Sequence, residues 1–203
     1  MSSPAPTLTG LHVQLEQLCI EHVTELVAAA NEDRATYDWT AVPPTEAGMR
    51  AYVERLLCDQ AVDAVIPFAQ RRLADGALVG CTRYLSILRW SGREEPDEVE
   101  VGGTWLAASA QRTPINTEAK LLLLGHAFEE LGVARVAICT DARNERSRTA
   151  ILRLGATFEG VLRNHRGSYV SGEGARDTAM HSIIAVEWPE VKATLLGRLG
   201  RSS

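Results

Sequence analysis

The sequence predicts one α/β domain built around a mixed sheet. Helix-like segments come early, strand-like runs occupy the middle, and strand and helix alternate thereafter. No internal repeat and no interior linker breaks the 203 residues, a length that favours a single domain with a sizeable core. The expected domain spans residues 1–203, with 1–7 and 200–203 as loose tails.

The elements follow from local pattern. Leu11 to Leu15 alternates apolar and polar residues, which suggests a first strand. Ile20 to Asn31 is rich in Ala and Glu and reads as a helix, and Tyr37 to Pro44 as an aromatic and proline loop. Thr45 is a plausible N-cap for a second helix, in which Ala51, Val53, Leu56 and Leu57 share an apolar face. Strands are expected at Ala64 to Gln70, at Leu78 to Leu88 after the Asp75-Gly76 turn, and at Val99 to Leu106 after a charged loop. Thr117 to Leu131 has a strong helical period that Gly132 ends. Val136 to Cys139 is short and apolar, so a buried strand is expected there. Asn144 to Leu154 is a helix stopped by Gly155, Thr157 to Leu162 and Thr178 to Val186 form a closing strand pair, and Glu187 to Leu199 is a last helix with Pro189 in its first turn.

Composition narrows the function classes. Hydrophobic residues make up 45% and charged residues 23%, as in globular rather than disordered chains. The net charge of -5 argues against general nucleic-acid binding, where a basic stripe is expected, and suits a cationic acceptor. Cys19, Cys58, Cys81 and Cys139 form no CxxC pair and no zinc motif, so no metal is expected and the thiols read as reduced and mostly buried. The N-terminus lacks a basic region followed by an apolar run, and no stretch approaches the ~18 apolar residues of a membrane span. The expectation is a cytoplasmic protein without membrane contact.

Two segments carry chemistry. Glu100 to Leu106, then Gln111 to Lys120, make a strand, a tight polar loop and a helix start. A helix start offers backbone N–H groups and a positive dipole end, which suit a phosphate. Thr113 and Thr117 add hydroxyls and Arg112 adds charge; an ordinary capped connection explains this segment equally well. The second segment, Thr140 to Gly160, is a strand end, a loop, a helix, a glycine stop and a strand.

Together the segments resemble the GNAT family of N-acetyltransferases. Within it they resemble the RimJ/RimL-like branch, which acetylates ribosomal-protein N-termini. Asn116-Thr-Glu-Ala-Lys-Leu-Leu-Leu and Asn144-Glu-Arg-Ser with Leu154-Gly-Ala match that branch, and weaker similarity runs from Leu11 to Leu196. The resemblance implies an α+β form of the fold: a mixed, mostly antiparallel sheet, flanked by helices, with a splayed central strand pair. It implies transfer of an acetyl group from acetyl-CoA to an amine, either a protein N-terminus or a small molecule. A longer acyl group such as succinyl, and a CoA-binding module without turnover, remain alternatives.

The resemblance also assigns roles. The strands that part should be Val99 to Leu106 and Val136 to Thr140, with the pantetheine arm between them. Backbone groups of Leu106 and Ala107 would bond the arm. The loop of Gln111, Arg112, Thr113, Ile115, Asn116 and Thr117 would hold the pyrophosphate, and Asn144, Ser147 and Arg148 would complete the donor site. Two departures stand out. Pro114 and Asn116 replace the small residues of the usual loop, and Pro114 has no N–H to give. Ile151 stands where many members carry a tyrosine acid.

An ammonium acceptor must lose a proton before it attacks, so a general base is useful. Glu100 is the first candidate, with Glu98 two residues earlier on the same strand face. Ser147 is the candidate acid in place of the tyrosine. Tyr37 and Trp39 lie in the loop expected over the acceptor, and Trp105 fits either pocket or core. His165 and His181 suit proton transfer or a structural place. Arg143, Arg146 and Arg148 form a basic cluster near the expected nucleotide, and Glu173 and Asp177 lie near the expected entrance. The closing strand pair and the loop after Arg163 leave room for a homodimer contact.

Overall fold

A computed structural model describes residues 5–170 and 172–200; the outer parts of the expected tails, 1–4 and 201–203, lie outside the described residues. Among the described residues eight strands form one sheet: β1 (Leu8–Thr9), β2 (Val13–Gln17), β3 (Val65–Arg72), β4 (Leu78–Leu88), β5 (Glu98–Leu106), β6 (Arg135–Asp141), β7 (Thr157–Gly167) and β8 (Ala175–Ile184). Their order is β1-β2-β3-β4-β5-β6-β8-β7, and every neighbouring pair except β5 with β6 is antiparallel. The described residues also form five α-helices: α1 (Val23–Ala30), α2 (Glu46–Ala61), α3 (Pro114–Gly125), α4 (Glu145–Arg153) and α5 (Trp188–Arg198).

Alternation along β4 sorts the helices. Arg83 meets Tyr52 of α2 on one face, and its neighbour Tyr84 bonds the Leu123 carbonyl of α3 on the other. Helix α1 packs on α2, and α5 packs on α3. Between these layers and the sheet lies a core that includes Leu15, Leu26, Met49, Phe68, Tyr84, Leu123, Ile183 and Leu195, each fully buried. Ala5 is also buried, so the inner part of the expected N-terminal tail is packed rather than loose.

The one parallel pairing is short. It joins Glu98 to Arg135, Val99 to Val136 and Glu100 to Ala137, and ends there. Beyond that point β5 stays with β4 to Leu106, and β6 stays with β8 to the Asp141–Thr178 pair. A register shift bends β5 here: Arg83 opposes Gly102, whereas Cys81 opposes Trp105. The extra residue falls at Gly103, whose φ of 56° a glycine adopts without strain.

Several boundaries differ from the sequence expectation. Helix α3 begins at Pro114, not Thr117, because Thr113 caps it and proline serves as its first residue. Its last turn widens at His126–Glu130, with the Leu131 N–H reaching the His126 carbonyl at 3.0 Å. The Tyr84 hydroxyl takes the Leu123 carbonyl at 2.5 Å, where the regular helix would use Ala127. Strand β7 runs on to Gly167, and β8 spans Ala175–Ile184 instead of 178–186. Val186 sits in the exposed turn that follows. Strand β1 escaped the pattern because it has only two residues.

Glu118 of α3 ties the N-terminal hairpin to the domain. Its fully buried carboxylate accepts the N–H groups of Leu11 (2.8 Å), His12 (2.6 Å) and Val13 (3.0 Å). Gly10 packs so closely on it that a Cβ there would overlap the carboxyl group. Charge-assisted hydrogen bonds are the strong ones, so Glu118→Ala should cost about 2 kcal/mol or more. Gly10→Ala should also destabilise, and the two losses should be less than additive because they break one contact. Urea midpoints of the two single variants and the double variant test this; an unchanged midpoint for Glu118→Ala would refute the tie.

Candidate active site

Where β5 and β6 part, the surface opens into a cleft of about 980 Å³. Strand β5 lines it from Glu100 to Leu106, and Ile138 to Thr140 line it from β6. The starts of α3 and α4 close one end, and α2 with the loop between α1 and α2 borders the other.

The α3 end is built for an anion. Thr113 accepts the Ile115 N–H, Asn116 and Thr117 face the cleft, and the Asn116 Oδ1 is buried without a partner. Arg112 adopts a φ of 58°, a left-handed conformation that costs a non-glycine residue roughly 1–2 kcal/mol. The helix start, with its free N–H groups, fits a phosphate, and the parted strand edges fit an extended amide arm, whereas the orphaned Asn116 oxygen can only accept a hydrogen bond. Asn144 lies across the opening as the cap of α4, with its Oδ1 on the Ser147 N–H at 3.0 Å. Ser147 also lines the cleft, and its hydroxyl has no hydrogen bond among the described residues. Buried Ile151 lies one turn on, in the same wall.

Of the residues expected around the donor, Ile115, Ala107 and Arg148 lie outside the cleft lining, and Leu106 lines it with its carbonyl already engaged. Ile115 is buried in the core, because the α3 period turns it toward the sheet. Ala107 is fully buried and gives its N–H to the Val79 carbonyl. The Leu106 carbonyl already accepts from Tyr37 Oη and Gln111 Nε2, each at 3.0 Å. Arg148 turns away from the cleft, bonding the Ala142 carbonyl and lying over the Phe158 ring.

At the other end Glu100 is 3% exposed and faces the cleft. Arg166 of β7 binds it through two nitrogens, at 2.8 and 2.5 Å, and Ser86 Oγ donates at 3.1 Å. Tyr37 meets Trp105 edge to face at 6.0 Å between centroids, so these aromatics form a buried floor. Trp39 lies under the Arg143 guanidinium, and Arg146 bonds the Thr36 carbonyl at 2.8 Å. These two contacts carry the α1–α2 loop across to α4. The other proton-transfer candidates sit elsewhere. Glu98 pairs with Arg135, Asp177 accepts the Asn164 N–H, and Glu173 holds Arg143 and Ser168. His165 is exposed on β7, and His181 is buried against Phe158, where burial lowers its pKa.

Several polar residues of the cleft escaped the sequence reading, Arg55, Arg83, Lys120, Arg166 and Arg176 among them. Arg83 of β4 lies on Gly103, in the space a Cβ would take. Lys120 of α3 points into the sheet, its Nζ on Thr104 Oγ1 at 2.6 Å and near Thr82 Oγ1 at 3.4 Å. Helical spacing was its signal, since Lys120 shares the buried stripe of Leu123 and Leu124. Burial pushes its pKa down to about 7 from the usual 10.5. As pH falls from 10.5, the unfolded chain takes up this proton first, so stability falls until about pH 7 and then levels. Lys120→Met should remove this slope and leave the variant less sensitive to pH between 7 and 9.5. Denaturation midpoints across that range decide it, and parallel curves for the two proteins would exclude a neutral buried lysine.

The comparisons agree with this architecture. The acetyltransferase (GNAT) domain family matches residues 12–157. A Bacillus subtilis (strain 168) protein, YdaF, described as a candidate ribosomal N-acetyltransferase, is 40% identical over 116 residues. That alignment covers 57% of this chain and 58% of the relative, so the chain spans well under two thirds of that protein's length. A solved structure of a candidate acetyltransferase from T. thermophilus is 35% identical, with a TM-score of 0.81 over 98% of this chain and all of that one. A GCN5-related N-acetyltransferase from Brucella melitensis superposes with a TM-score of 0.83 at 29% identity, covering 97% of this chain and 86% of the other. With a parted parallel strand pair beside a helix N-terminus and a domain match over most of its length, the chain belongs to the GNAT family of acetyltransferases.

Proposed function

We propose that this protein moves an acetyl group from acetyl-CoA to a primary amine. One observation carries the reading: the β5–β6 pairing stops after three residue pairs, beside the start of α3. When bound, acetyl-CoA supplies a thioester carbonyl open to attack and a thiol as leaving group. Asn116, Thr117 and the α3 start would hold its phosphates, and Asn144 Nδ2, left free by the cap through Oδ1, would bond its arm. The relative named for the ribosome points to a protein N-terminus as acceptor, and a small amine fits the same chemistry.

In this reading Glu100 attracts the ammonium and takes its proton. Its carboxylate oxygens already serve Arg166 and Ser86, so a proton accepted there competes with an existing ion pair. Ser147 is the proton donor toward the departing sulfur, in the wall where Ile151 has nothing to give. No helix among the described residues is long and apolar enough to cross a membrane.

Two measurements follow. Millimolar acetyl-CoA should raise the melting temperature, because a ligand of the native state stabilises it by mass action. Absence of both a shift and a calorimetric signal would remove the donor assignment. Glu100→Gln should lower the rate of thiol release about 10²-fold at neutral pH, the low end for loss of a general base. A native rate at every pH would hand proton removal to solvent.

A further inference from the structure

We infer that the acceptor is a small amine that also carries an oxyanion, a carboxylate or a phosphate, held by Arg83, Arg55 and Arg176. The inference rests on the acetyl-transfer reading and sharpens it to a substrate class. Arg83 lies directly on the β5 bulge at Gly103, three residues beyond the last β5–β6 pair at Glu100. Among the described residues its one hydrogen bond is to Tyr52 Oη, at 3.3 Å, and no carboxylate pairs with it. Arg55 follows Tyr52 by one turn of α2, lines the same cleft and has no ion pair among the described residues. Arg176 is 9% exposed, lies over the Tyr169 ring, and has a buried Nε with no partner.

Most acids nearby are engaged by other arginines, although Asp141 also lies in the field of Arg176 and Glu145 lines the cleft near the start of α4. Glu100 is held by Arg166, and Asp141 and Glu173 share Arg143. This end of the cleft therefore keeps a positive excess although the chain as a whole carries -5. An acceptor whose net charge is positive, which the net charge of the chain alone suggests, is disfavoured at the arginines, whereas one that carries an oxyanion can meet them and still bring its ammonium to Glu100. A half-buried guanidinium without a counter-ion is costly, and an oxyanion relieves that cost with paired, charge-assisted bonds.

The donor's phosphates do not account for these groups. Arg83 and Tyr52 lie on the α2 face of the sheet, whereas the α3 start lies on the opposite face, with Arg112 at its own end of the cleft. Size is set by the roof. The α1–α2 loop is latched to α4 through Arg146 on the Thr36 carbonyl and Arg143 on Trp39, so the loop bridges that wall of the cleft. A small acid-bearing amine fits this cleft better than a folded protein's N-terminus.

The test is a panel of acceptors with acetyl-CoA, read as thiol release: β-alanine for a carboxylate, 2-aminoethyl phosphate for a phosphate, propylamine, spermidine, and a neutral peptide with a free N-terminus. At least one acid-bearing amine should exceed propylamine, spermidine and the peptide in kcat/KM by about tenfold or more. Which of the two leads identifies the oxyanion. Arg83→Gln should cut kcat/KM for that amine at least tenfold more than for propylamine, and Arg55→Gln, on an exposed helix face, should shift the preference the same way. Equal rates across the panel, a lead for the peptide or spermidine, or equal losses for all acceptors would overturn the inference. Calorimetry with 2-aminoethyl phosphate and β-alanine reads the site without turnover. Binding that Arg83→Gln abolishes, with no thiol release from any amine, would refute acetyl transfer and keep the oxyanion site. No binding and no acid preference, with brisk turnover of other amines, would do the reverse.

Discussion

The architecture turns on a parallel strand contact that is allowed to run for only three residue pairs. A strand inside a sheet normally satisfies backbone groups on both edges, and buried backbone groups left unpaired are costly. Here β5 and β6 each keep one full partner. Strand β4 holds β5 to Leu106, and β8 holds β6 through seven pairs. The facing edges past Glu100 and Ala137 can therefore separate without loosening either half of the sheet. The bulge at Gly103 adds the bend, and a side chain at that position would meet Arg83. Two facing strand edges make a natural seat for an extended, amide-bearing molecule, because such a molecule can do what a missing strand would do.

The same opening explains why distant elements are tied together by charge. Glu100 on β5 reaches Arg166 on β7, past both β6 and β8 in the sheet order. Arg143 collects Asp141 at the end of β6 and Glu173 in the turn before β8. These pairs brace the strand tips around the cleft, where the sheet's own hydrogen bonds run out. The Glu100–Arg166 pair is half-buried, so removing one partner would leave an uncompensated charge, a loss of roughly 3–5 kcal/mol for a fully buried pair and less here. Its first consequence is structural: it fixes the wall on which the acceptor must sit.

Much of the fold was legible because it rests on local pattern. Thr45 caps α2 as its side-chain oxygen suggests, and Gly132 and Gly155 follow their helices with φ of 63° and 98°. Helix α3 starts three residues before its apolar period indicates, because Thr113 caps it and Pro114 serves as its first residue. Strand β7 was read short because its second half, Arg163 to His165, is exposed and charged, so alternation has nothing to report there. The site was partly legible for a different reason. Glu100, Asn144, Ser147 and the Asn116–Thr117 helix start announce themselves by motif, and all reach the cleft. Arg83, Lys120 and Glu118 matter through contacts far away in the chain, across 20, 16 and more than 100 residues, which no local window contains.

The bulge also gathers opposing chemistry on its two faces. Arg83 covers Gly103 from the α2 side, and Lys120 reaches Thr104 from the α3 side. One is a guanidinium that stays charged at any physiological pH; the other is an amine that burial leaves near half-protonated at neutrality. The strand segment between them thus lies in a positive potential to which Lys120 adds a pH-dependent part. Acyl transfer builds negative charge on a carbonyl oxygen, and such charge is stabilised best by dipoles and cations already in place in a site that excludes water. On the proposed reading, the bulge that opens the sheet also concentrates that potential where the acyl group must lie. The cost is paid in the free protein, as a buried lysine whose charged form the surroundings disfavour and an arginine without a carboxylate partner.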